Sequence, residues 1–96
     1  GNVTITLDVH RTAGYCWELA GHVNETMLKF ASSVYIAGEA GLVGAPGQEV
    51  WTFKAISAGR TELSFKCVRP WEKGVPPAEV RSFTVEIRPG ASDQGE

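Results

Sequence analysis

The stretch VWTFKAISAGRTELSFKCV, residues 50–68, decides the fold. Its first half alternates: Trp51, Phe53 and Ala55 fall on one side, Thr52 and Lys54 on the other. Its second half does the same, with Leu63, Phe65 and Cys67 in line. Between them, Ala58-Gly59 carries turn chemistry. Alternation with a period of two, in residues rich in β-branched and aromatic side chains, is the signature of strands with one face buried.

The same period extends outward. VTITLDV, residues 3–9, places Val3, Ile5, Leu7 and Val9 on one face. YCWEL, residues 15–19, groups Tyr15, Trp17 and Leu19, and VRSFTVEI, residues 80–87, groups Phe83, Val85 and Ile87. Two weaker runs, 27–30 and 34–36, complete about seven short strands. Nothing has helical spacing over a useful length. Short strands separated by Gly- and Pro-containing turns predict an all-β antiparallel sandwich. Ninety-six residues suit one domain, expected over residues 1–88. The polar, turn-rich PGASDQGE, residues 89–96, is expected to be a flexible tail. Trp17 and Trp51, each inside an alternating run, are expected in the core.

Other classes are disfavoured. A net charge of −2 without a basic cluster gives no electrostatic footprint for nucleic acid. No apolar run approaches the roughly 18 residues of a membrane span, so no membrane partner is expected. A nucleophilic enzyme would have to use Cys16 or Cys67 with His10 or His22. Both cysteines sit in strands, with no helix N-terminus to lower a thiol pKa and no orienting group in view. The same separated histidines and cysteines lack the clustering a metal site needs, and no cofactor is implied.

What remains unusual is the loops. If alternate connections share an end, the loop before Tyr15, the glycine-rich segment 38–47 and RPWEKGVPPAE, residues 69–79, meet at one tip, with 21–26 and 57–60 at the other. Loops on a rigid sandwich are common recognition surfaces. Trp71 lies in the third loop, stiffened by Pro70. It is either folded back on Arg69 or the sheet, or held out for a partner, where tryptophan and arginine are the residues most enriched at binding hot spots. Arg69 likewise either braces its loop or makes contact. Thr12 either caps its own turn or donates a hydrogen bond to a partner.

Three segments, HRTAGYCW (10–17), GAPG (44–47) and RPW (69–71), occur in the order and at the spacing of the chagasin-like inhibitors of papain-type cysteine proteases. The chain resembles that family from about residue 1 to residue 88. The family's pattern is N-P-T-T-G-[YF]-x-W, then G-x-G-G, then R-P-W. His10 and Arg11 stand where it has Asn-Pro, Ala13 replaces its second threonine, and Pro46 replaces a glycine. A proline cannot adopt a positive φ, so the second loop must differ locally. The resemblance also implies that the family's first strand is missing, because Gly1 aligns near the turn that follows it.

The resemblance implies an immunoglobulin-like sandwich and a reversible inhibitor that blocks the protease cleft with three loops, without being cut. The residues it assigns to protease binding are Arg11, Thr12, Ala13 and Gly14 in the first loop, Gly44, Ala45 and Gly47 in the second, and Arg69, Pro70 and Trp71 in the third. The partner would be a papain-like cysteine protease, and the inhibitor a monomer or a strand-exchanged dimer. The alternative is a non-inhibitory immunoglobulin-like interaction module of a larger surface or periplasmic protein. In the family's sandwich the strands of Cys16 and Cys67 are neighbours, so the thiols could form a disulfide, provided a bulge reconciles their opposite faces. That bond would suit a periplasmic or secreted location; otherwise the two are small apolar fillers.

Overall fold

A computed structural model describes residues 1–38 and 45–89. Its strands are β1 (Asn2–Val9), β2 (Cys16–Leu19), β3 (Leu28–Ile36), β4 (Gly47–Ala55), β5 (Gly59–Val68) and β6 (Glu79–Ile87), with a 3-10 turn, Arg11–Ala13, between β1 and β2. They form two three-stranded sheets, β1-β4-β3 and β2-β5-β6, and every pairing is antiparallel. The chain crosses between sheets after β1, β2 and β4. The result is the expected all-β, immunoglobulin-like sandwich.

The alternation of residues 50–68 builds the centre of both layers. Trp51, Phe53 and Ala55 on β4 face Leu63, Phe65 and Cys67 on β5, and all six are buried. Phe65 is the hub. Its ring meets Trp51 at 5.2 Å, Phe53 at 6.4 Å and Phe83 at 6.0 Å between centroids, each edge-to-face, the arrangement favoured by aromatic quadrupoles. Ile5, Leu7 and Val9 extend this core along β1, and Trp17 on β2 closes it, its indole donating to the Asp8 carbonyl at 3.0 Å.

Among the described residues there are six strands rather than seven, because runs 27–30 and 34–36 belong to one strand, β3. A bulge between Phe30 and Ser32 inserts an extra residue into its pairing with β4. Before the bulge, Phe30 lies opposite Phe53; after it, Ser33 and Tyr35 lie opposite Trp51 and Glu49. The inserted residue shifts the alternation by one. Val34 and Ile36 therefore point outward, 55% and 51% exposed, and the strand reads as two fragments.

The register fixes both ends. Val9 pairs with Gly47, Ile36 with Gln48, Cys16 with Val68, and Cys67 with Glu79. Connections 10–15, 37–46 and 69–78 thus leave from the same rim. At the opposite end, the Ile56 amide donates to the Met27 carbonyl at 2.7 Å and the Ser57 hydroxyl to the Thr26 carbonyl at 2.6 Å. Gly44 in the second loop, and the expected tail beyond Pro89, lie outside the described residues.

Candidate functional site

The first loop is a tight turn of backbone bonds. The Ala13 and Tyr15 amides donate to the His10 carbonyl at 3.1 and 3.3 Å, and the Gly14 amide to the Arg11 carbonyl at 2.9 Å. Gly14 ends the turn at φ 92°, in the left-handed region. A methyl group here would also overlap the Trp71 indole. Glycine is required twice at this position, for the turn and for the seat of the ring.

Trp71 is 64% exposed. It neither enters the core nor projects freely: one part of the indole lies against Gly14, and the rest faces solvent. Arg69 locks the two loops together. Its Nε donates to the Ala13 carbonyl at 3.0 Å, its guanidinium lies 4.4 Å over the Tyr15 ring, and its Nη1 is 3.7 Å from Glu72 Oε2. Arg69 therefore braces its loop, and its side chain stays one-third exposed at the rim. Pro70 is exposed beside Trp71, and the Glu72 amide returns to the Arg69 carbonyl at 2.9 Å. Arg11, Thr12 and Ala13 are exposed on the turn, and the Thr12 hydroxyl has no hydrogen-bond partner among the described residues.

The second loop is joined to the first by side chains at its stems. Arg11 lies 4.7 Å over the ring of Tyr35 at the end of β3, and its Nε donates to Glu49 Oε2 at 3.1 Å. Gly47, buried at the start of β4, lies under Tyr35; a Cβ there would come within 2.5 Å of the phenol oxygen. Ala45 is half-buried just before it. The rim therefore unites Arg11, Thr12, Ala13 and Gly14 with Arg69, Pro70 and Trp71 directly, and with Gly47 through Arg11 and Tyr35, while the Ala45 carbonyl lies beside Gly38.

Glu49 is the residue that motif matching missed. It is 2% exposed, and its carboxylate accepts from Arg11 Nε, from the Trp17 amide at 3.2 Å and from the Trp51 indole at 3.0 Å. A buried charge is tolerated only when paired and hydrogen-bonded, and these donors satisfy it. The signal was present: Glu49 shares the parity of Trp51, Phe53 and Ala55, so a carboxylate stood on the core face of an alternating strand.

The Cys16–Cys67 disulfide is not formed, and both thiols are free. Cys16 lies opposite Val68, and Cys67 opposite Trp17, in an unbroken ladder. Neighbouring positions point to opposite faces, and no bulge supplies the needed correction. Burial, reinforced by Glu18 and Glu49, pushes the Cys16 thiol above the ordinary range; burial, then Glu79, Cys16 and Glu49, does the same for Cys67. Groups held as neutral thiols are poor nucleophiles.

The double sheet thus carries, at one rim, loops fastened to one another and a largely exposed aromatic ring. The chain belongs to the chagasin family peptidase inhibitor I42, whose profile matches residues 1–87, and so stands among inhibitors rather than enzymes. It is similar to Amoebiasin-2 of Entamoeba histolytica, 27% identical over 86 residues, spanning 90% of this chain and 70% of that protein. Its fold matches the crystal structure of the cysteine protease inhibitor EhICP2 from Entamoeba histolytica with a TM-score of 0.75 and 26% identity, over 91% of this chain and 78% of the other.

Proposed function

We propose that this chain is a reversible inhibitor of papain-like cysteine proteases, and that it acts by seating the three-loop rim in the active-site cleft. The observation that carries the reading is the Trp71 indole, largely solvent-exposed yet fixed against Gly14 by the Arg69 brace. An aromatic side chain already held in place loses little freedom on docking. The first loop, lying between the other two and tipped by the free Thr12 hydroxyl, would sit over the catalytic cysteine and histidine. The second and third loops would flank it. A relative described as a cysteine protease inhibitor supports the choice of target class.

The test is a titration of papain followed with a fluorogenic peptide. Activity should fall to zero near one inhibitor per enzyme, return on dilution, and leave the inhibitor chain intact by mass spectrometry. Unchanged turnover at micromolar inhibitor would contradict the proposal and favour a non-inhibitory interaction module.

A further inference from the structure

We propose that Glu49, buried below the rim, is a positioning residue that sets the first loop for inhibition by holding Arg11; this rests on the inhibitor reading above. Three donors from three places converge on its carboxylate: Arg11 in the first loop, the Trp17 amide at the start of β2 in the opposite sheet, and the Trp51 indole on its own strand. Glu49 is two residues from Gly47, where the second loop ends. Arg11 is meanwhile held over Tyr35 at that loop's other stem. One carboxylate thus ties the first loop to both sheets and to the base of the second.

The first loop needs such a tie. It contains no proline, and His10, which opens the turn, provides no side-chain cap. Its other restraints are the turn's own backbone bonds, Arg11 over Tyr35, the Trp71 ring against Gly14, and Arg69 on the far side, bonded to the Ala13 carbonyl and covering Tyr15. A well-packed apolar residue generally stabilises a core as well as a buried ion pair does, so a carboxylate here does something packing would not. The Arg11 side chain stays 44% exposed while Glu49 is 3% exposed. The link therefore runs from core to rim, and holding the loop in place before docking lowers the entropy lost on binding.

Two variants test this. Glu49→Gln keeps the size and removes the charge facing Arg11, but it has one acceptor oxygen, which serves either the Trp17 amide or the Trp51 indole. Arg11→Met removes the donor and keeps the aliphatic stem. In the free inhibitor, amide exchange at Ala13, Gly14 and Tyr15 should accelerate at least about tenfold in either variant. Affinity for papain should weaken about tenfold in each, and the double variant should lose clearly less than the product of the single losses, because both changes break the Glu49–Arg11 link. Unchanged loop exchange, or single-variant losses that multiply in the double variant, would overturn the proposal. Should Glu49→Gln not fold, Arg11→Met decides through exchange and affinity, since its side chain lies outside the core. The exchange measurement involves no protease, so failure of wild-type inhibition would refute the functional reading while leaving this positioning claim to be judged separately.

Discussion

Replacing Trp71 with alanine separates an exposed binding anchor from a structural residue. The indole is 64% exposed. Of the roughly 250 Å² a tryptophan can bury, about 160 Å² is therefore available to a partner. At about 25 cal/mol per Å², full burial in a cleft would supply up to about 4 kcal/mol. Imperfect desolvation lowers this toward the hot-spot scale of about 2 kcal/mol or more, about a thirtyfold rise in inhibition constant. The stability cost is smaller. The covered third of the ring lies partly against its own chain neighbours and partly against Gly14, so the loss should stay below about 1 kcal/mol, or a Tm decrease under roughly 6 °C. Paired measurements, inhibition of papain and a thermal melt, check both numbers. A large fall in Tm with unchanged inhibition would refute the reasoning, because the ring would then be serving the fold alone.

Gly14→Ala should weaken inhibition and lower Tm by several degrees, since φ 92° strains any other residue by about 1 kcal/mol or more and the added methyl displaces the indole; the melt and the papain titration read both. Arg69→Ala should weaken inhibition about tenfold with a small change in Tm, and Arg69→Lys should behave alike, because an ammonium reproduces neither the planar cover over Tyr15 nor the Nε bond to Ala13. A thiol reductant should leave Tm unchanged, because Cys16 and Cys67 are not bonded. Because both thiol pKa values are raised in the folded chain, their contribution to stability is complete below the ordinary thiol pKa and is lost as pH rises through the folded values. Denaturant melts should therefore show stability falling on the alkaline side, and Cys16→Ala/Cys67→Ala should flatten that fall.

Most of the architecture was legible because the strands of both layers obey strict alternation. Residues 50–68 alone identified the facing surfaces of β4 and β5, and the rule that alternate connections share an end placed the three loops together. β3 was misread because its bulge shifts the period within a run of small residues, Ala31-Ser32-Ser33, that carry little hydrophobic signal. The disulfide failed on that same alternation, which already set Cys16 and Cys67 on opposite faces. At the rim, motif spacing brought out Gly14, Arg69 and Trp71 but not how they fit. That the ring would rest on Gly14, and that Arg69 would reach the Ala13 carbonyl, depends on a contact across 56 residues that no local pattern encodes. Tyr15 and Tyr35, which the two arginines cover, looked like ordinary strand aromatics for the same reason.

The most direct measurement is alkylation of the protease's catalytic thiol in the presence of the inhibitor. With papain and a small iodoacetamide reagent, one equivalent of this chain should protect that cysteine, and Trp71→Ala should release the protection at matched concentrations. Full-rate alkylation of papain in a saturated complex would contradict the claim that the rim occupies the active-site cleft.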